Sequence, residues 1–165
     1  MPSFPLTATE GRSPVEDAAR ELIHDYLERH ELAVIATASP SGSPAAALIG
    51  IALMGQAQDI NVIFDTLTTT RKYARLKANP RVALVIGLGE ETTLQLDGEA
   101  EELAGEALAE AKAAYFRKWP DGREREAWPN ITYFKVRPSW IRHSDFGRQP
   151  PKIVELNSFE TGGFK

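Results

Sequence analysis

Asp65-Thr66-Leu67-Thr68-Thr69-Thr70-Arg71-Lys72-Tyr73-Ala74-Arg75-Leu76 carries the chain from a strand into a helix. An apolar run, Ile60 to Phe64, stops at Asp65, and hydroxyl residues crowd the next five positions. A helical spacing then begins, with Tyr73, Leu76 and Lys77, and Asn79-Pro80 closes it. Thr70 or Thr69 suits the N-cap. The next pair is unusual, because Arg71 and Lys72 fall in the first turn, where the helix end is already partly positive. Two cations gain there if an anion occupies that end. Free amides, threonine hydroxyls and a guanidinium–ammonium pair make a seat for phosphate. A solvated helix start is the plainer reading of the same residues.

Upstream, Ser13-Pro14-Val15-Glu16 is a helix start, with Ser13 as N-cap, Pro14 in the first position and Glu16 set for a capping box. Apolar residues at Val15, Ala18, Ala19, Leu22, Ile23, Tyr26 and Leu27 share one helical face to about residue 30. Leu32 to Ala38 and Pro44 to Met54 read as strands around a Ser-Pro-Ser-Gly-Ser turn. The second is rich in alanine and carries Gly50, so a packed helix or a ligand approaches its backbone closely. Ile60 to Asp65 completes an antiparallel meander.

Downstream, Arg81 to Leu88 is a fourth strand, and Thr92 to Leu103 alternates as a half-buried fifth. Glu106 to about Trp119 is an amphipathic helix, and a polar loop follows to Pro129. Ile131 to Arg142 is the last long strand, with Pro138 marking a bulge or an edge. The organisation expected is an irregular arm over 1–12, one domain over 13–145 and an arm over 146–165 that orders only against another surface, that of a dimer partner. Six strands with helices outside the meander indicate a small, mainly β barrel rather than a doubly wound parallel sheet.

The 165 residues fit one domain, with ordinary proportions of hydrophobic (42%) and charged (25%) residues. A net charge of −4 argues against nucleic acid as a partner. The absence of cysteine removes disulfides and thiol catalysis and fits a reducing, cytoplasmic setting. No apolar run is long enough for a membrane span, and no signal peptide is evident.

Taken in order, the pieces Ala36-Thr37-Ala38 with Gly42-Ser43-Pro44, Phe64-Asp65-Thr66 with Thr70-Arg71-Lys72, Leu76 to Leu84, Leu96-Asp97-Gly98-Glu99-Ala100 and Val136 to Arg142 resemble the pyridoxamine 5'-phosphate oxidase-like, flavin-binding split-barrel superfamily. The resemblance implies a six-stranded antiparallel split β-barrel with flanking helices. It also implies a homodimer with FMN at the subunit interface and hydride transfer to or from a small substrate. By that resemblance Arg71, Lys72 and Thr70 hold the FMN phosphate, and Asp65 and Thr66 line the phosphate and ribityl chain. Leu48, Ile49 and Gly50 face the isoalloxazine through their backbone, and Thr93 and Gln95 lie near the ring. Trp140 and Arg142 come from the other subunit. The oxidase proper has an arginine at the start of the flavin-contacting strand and a lysine five residues later, where this chain has Ala47 and Ala52. Other members suggest a non-catalytic flavin protein, a deazaflavin in place of FMN, or haem degradation, the last requiring a haem-facing histidine such as His143.

Overall fold

The computed structural model describes residues 11–157, so nearly all of the expected N-terminal arm and the end of the C-terminal arm lie outside the described residues. The first helix, α1, spans Pro14–Arg29. Ser13 Oγ accepts from the Glu16 N–H at 3.2 Å, and Pro14 needs no acceptor. The capping box is only half made, because the Glu16 carboxylate turns to Arg20 at 3.1 Å. Ile23, Tyr26 and Leu27 are buried, whereas Val15, in the first turn, is exposed.

The remaining elements are β1 (Leu32–Ala38), β2 (Pro44–Gly50), β3 (Ala52–Met54), β4 (Asn61–Leu67), α2 (Arg71–Ala78), β5 (Arg81–Ile86), β6 (Thr92–Glu102), α3 (Gly105–Lys118), a short α4 (Gly122–Arg125), β7 (Ile131–Asp145) and β8 (Lys152–Leu156). The described residues form eight strands, not six, for two reasons. The expected strand from Pro44 to Met54 breaks at Ile51, and the expected C-terminal arm supplies β8. The meander survives the break: β2 pairs with β1, and β3 pairs with β4. β8 pairs with the chain's own β7, with His143 opposite Val154, so residues 152–156 find their surface within the same chain.

All pairings are antiparallel, in the order β2-β1-β5-β6-β7-β4-β3, with β8 beside β7. Ile51 alone separates the two ends of that path in sequence, so the sheet curls round into a half-barrel of the split-barrel kind. A bulge falls where Pro138 announces it: the β6–β7 register shifts between Asp97 and Gly98. Proline has no N–H to give the ladder. Gly98 is required there, because a Cβ would lie 2.3 Å from the Arg137 carbonyl oxygen.

The strands alternate between two cores. Ile35, Leu84, Leu96, Phe64 and Val136 point into the barrel and meet α1 and Leu76 of α2. Ala52, Ile63 and Tyr133 point outward and meet Ala111, Tyr115 and Phe116 of α3. Burying each large side chain contributes roughly 1.5–3 kcal/mol. The Tyr26 hydroxyl of α1 donates to the Thr92 carbonyl oxygen at 2.9 Å, and the Tyr73 hydroxyl of α2 donates to Glu102 at 3.0 Å. Thr92 and Glu102 are the two ends of β6. The two helices therefore close opposite mouths of the barrel.

Candidate functional site

α2 begins at Arg71 because Thr70 is extended (φ −83°, ψ 153°) and caps it. Thr70 Oγ1 accepts from the Tyr73 N–H at 3.2 Å and donates to the Leu67 carbonyl oxygen at 2.8 Å. Thr70, not Thr69, is thus the cap. Thr66 is buried, and its hydroxyl lies 3.2 Å from that of Thr70. The amides of Arg71 and Lys72 have no acceptor inside the helix. The first turn holds no acidic residue. Arg71 is exposed, and it forms no ion pair among the described residues. Lys72 is partly buried, with its Nζ 5.8 Å from the centroid of the Phe64 ring. Burial lowers the pKa of its ammonium, and the neighbouring Asp65 acts in the opposite sense. Cations, free amides and hydroxyls converge without a competing acid in the turn, which suits an anion with several oxygens.

Contacts to Glu102 of β6 and to the β1–β2 turn fix this helix. Glu102 accepts from Tyr73 at 3.0 Å and from Thr132 at 2.9 Å, and pairs with Lys77 at 3.0 Å. Burial by itself would raise the Glu102 carboxyl, but these hydrogen bonds outweigh it and hold the group below the usual range. The Arg75 guanidinium also donates to the Ser43 carbonyl oxygen in the β1–β2 turn.

Asp65, expected beside the phosphate, is engaged on the other side of β4. Its Oδ2 lies 3.3 Å from Arg125 Nε, while Arg125 Nη1 reaches Asp121 at 3.1 Å. The Tyr115 hydroxyl interacts with both Asp65 and Arg125, and burial, followed by the Asp65 charge, pushes its pKa up. Arg125 escaped the sequence reading because it lies in a polar stretch without periodicity.

The other expected residues lie on the outer face of the sheet. The registers place Leu48, Val34, Val85, Gln95, Arg142 and Glu155 in one row across six strands. Trp140, opposite Asp97, and Thr93, opposite Ser144, are in the neighbouring rows. Leu48 is 59% exposed and Val85 37%. Arg142 pairs loosely with Glu155 at 3.6 Å. Ile49 is buried in the barrel core, so its side chain leaves that face. Gly50 is covered by Trp119, which follows α3 and donates its indole N–H to the Ile51 carbonyl oxygen at 2.9 Å. Between the helix and the ligand left open by the sequence, a packed side chain at a helix end is what approaches Gly50.

Within one chain the two groups stay apart. Arg71 and Lys72 sit at the Glu102 mouth, whereas Thr93 and Arg142 lie toward the mouth closed by α1. His143 is 7% exposed and set edge-on to Tyr26 at 4.9 Å, so it lies under α1 and not on the open sheet face. Burial lowers its imidazole pKa.

A sequence profile described as pyridoxamine 5'-phosphate oxidase matches residues 17–145, and the chain belongs to that family. A curated relative, the pyridoxine/pyridoxamine 5'-phosphate oxidase of Rubrobacter xylanophilus, is 36% identical over 95 residues. That match spans 58% of this chain and 41% of the relative. Among solved structures, a heme binding protein from Mycobacterium smegmatis shares the fold with a TM-score of 0.69 at 18% identity, over 89% of this chain and 59% of that one. A pyridoxamine 5'-phosphate oxidase-related, FMN binding protein from Nostoc punctiforme matches with a TM-score of 0.60 at 13% identity, over 89% and 92% of the two chains. No helix among the described residues is long and apolar enough to cross a membrane.

Proposed function

We propose that this chain is an FMN-dependent oxidoreductase that works as a homodimer and exchanges hydride between flavin N5 and a small organic substrate. The start of α2 carries the proposal: two cations, unpaired helix amides and the Thr70 and Thr66 hydroxyls, with no acid in the turn. Arg71 and Lys72 hold the phosphate, and Thr70 keeps the helix end in place. The flavin, when bound, supplies the redox chemistry, and the chain binds and orients it. The dimer reading is supported by the separation of the two residue groups. Only a second chain brings Thr93, Gln95, Trp140 and Arg142 toward the α2 mouth, and the apolar row through Leu48, Val34 and Val85 offers it a surface.

The substrate differs from a phosphate ester held by cations on the flavin-contacting strand. Ala47 and Ala52 stand at those positions, and Ala52 is buried. Titration of the purified protein with FMN, followed by absorbance and flavin fluorescence, tests the cofactor. Anaerobic reduction by a nicotinamide nucleotide tests the activity. A protein that binds no FMN overturns the proposal. FMN held without turnover would make the chain a flavin carrier, and a deazaflavin that displaces FMN would reassign the cofactor.

A further inference from the structure

We infer that Tyr73 is a positioning residue for the anion seat: its hydroxyl, held by Glu102, sets how far α2 is turned about its axis and so where the first turn aims its amides and cations. The inference rests on the FMN reading above. α2 has eight residues, and Leu76 is the one buried in the core. A single anchor leaves a two-turn helix free to rotate, and a second anchor on another side stops it. Successive side chains project about 100° apart around a helix, so Tyr73 and Lys77, one turn apart, share a side. Both reach Glu102 Oε2, at 3.0 Å each. The carboxylate is itself tied to the sheet, because its Oε1 accepts from Thr132 of β7 at 2.9 Å. Arg75, on the Arg71 side of the helix, reaches the Ser43 carbonyl oxygen in an exposed turn.

Tyr73 is tied to the seat at both ends. Its N–H is the one that Thr70 Oγ1 accepts in capping the helix. Its ring lies edge-on to Phe134 at 6.0 Å, and Phe134 stacks on Phe64 at 5.5 Å. Lys72 Nζ is 5.8 Å from that same Phe64 ring. Phe64 and Phe134 are direct partners across β4 and β7, so Lys72 and Tyr73 rest on one pair of rings. Arg71, two residues before Tyr73, projects about 200° round from it, away from Glu102, and is exposed. Without the hydroxyl the seat keeps all its groups, but the helix holds them in the binding orientation for a smaller fraction of the time. Apparent affinity for a phosphate falls with that fraction. Riboflavin, which has the ring and ribityl chain but no phosphate, does not use the seat.

The test compares FMN and riboflavin affinities of wild type, Tyr73→Phe, Glu102→Ala, Glu102→Gln and the Tyr73→Phe/Glu102→Ala double variant, with far-UV circular dichroism as the check on folding. Tyr73→Phe is expected to weaken FMN about fivefold and to leave riboflavin unchanged. Glu102→Ala weakens FMN at least as much, and the double variant loses no more than Glu102→Ala, because both changes break one hydrogen bond. Glu102→Gln keeps a side-chain partner for the hydroxyl and so keeps most of the FMN affinity, although it loses the charge that pairs with Lys77. The contrast between Glu102→Ala and Glu102→Gln decides the matter if Tyr73→Phe does not fold. Tyr73→Phe with wild-type FMN affinity overturns the inference. So does a loss shared equally by riboflavin, or a Glu102→Gln variant as weak for FMN as Glu102→Ala. A wild-type protein that binds neither flavin, or binds both equally, overturns the cofactor or seat reading itself, an outcome distinct from these.

Discussion

The indole of Trp119 lies where a side chain on Gly50 would stand: a Cβ there would meet Trp119 Cζ2 at 3.0 Å and Cε2 at 3.2 Å. The ring cannot swing away freely, because its N–H is bound to the Ile51 carbonyl oxygen. Gly50→Val should therefore cost about 1–3 kcal/mol by overpacking, as read by urea denaturation. Adding Trp119→Leu should return part of that loss, since the two positions touch. Equal stability of wild type and Gly50→Val would show that the indole is not held over that residue.

Glu102 ties α2 to β6 and β7, and its carboxyl is held below the usual range. A depressed carboxyl stabilises the fold above its unfolded pKa and loses that contribution as pH falls through the folded value. Glu102→Gln should accordingly cost about 1 kcal/mol at neutral pH. The gap from wild type should close as pH falls below 4.5, the ordinary value. Denaturant titrations between about pH 3 and pH 7 measure this. A gap independent of pH would rule out the carboxylate as its source.

His143 acts in the same direction at higher pH. Burial lowers its imidazole pKa from 6.5, so between the folded and unfolded values the unfolded chain binds the proton and the folded chain does not. Stability then falls as pH drops below 6.5, with a slope of at most about 1.4 kcal/mol per pH unit. His143→Phe, which keeps an aromatic edge against Tyr26, should flatten that part of the stability profile. An unchanged slope would assign it to another group.

The helix ends were the most legible features of this sequence. Ser13-Pro14 and Thr70 state their caps in local chemistry, and both caps form. Pro138 states a bulge in the same way. What stayed hidden depends on tertiary partners. The break at Ile51 lies inside an unbroken apolar run, Leu48 to Met54, and no residue there announces that one half pairs with β1 and the other with β4. β8 follows Pro150-Pro151 and is too short to order alone; only the edge of β7 makes it a strand. Among the candidate site residues, the cation pair at Arg71 and Lys72 was readable because it violates the helix dipole. Arg125 violates nothing, and its ion pair with Asp65 comes only from the fold setting the two side chains together.

Arg71 and Lys72 together should decide FMN affinity. The double change to alanine removes two charge-assisted contacts to phosphate, so FMN should bind at least about 100-fold more weakly. Riboflavin should lose far less. The barrel should stay folded, because Thr70 still caps α2 and Leu76 still anchors it in the core. Retention of FMN at wild-type affinity would place the phosphate elsewhere.

The row Leu48, Val34, Val85 turns apolar surface outward on a sheet face whose polar end carries Gln95 and Arg142. Covering it with a second chain removes that surface from water at about 25 cal/mol per Å². A glutamate at Leu48 together with one at Val85 would place two charges inside that cover. The pair should convert a dimer to monomer in sedimentation velocity without unfolding it, since both side chains are exposed in one chain. FMN affinity should fall with the dimer, although neither substitution touches α2. The reason is geometric: on the proposed reading the phosphate would sit at Arg71 and Lys72 and the ring near Thr93 and Arg142, which lie toward opposite mouths of one barrel, so that a second chain would be needed to bring them together. A monomeric variant that holds FMN as tightly as wild type would show that one chain completes the site, and the Thr93, Gln95, Trp140 and Arg142 assignments would then fall.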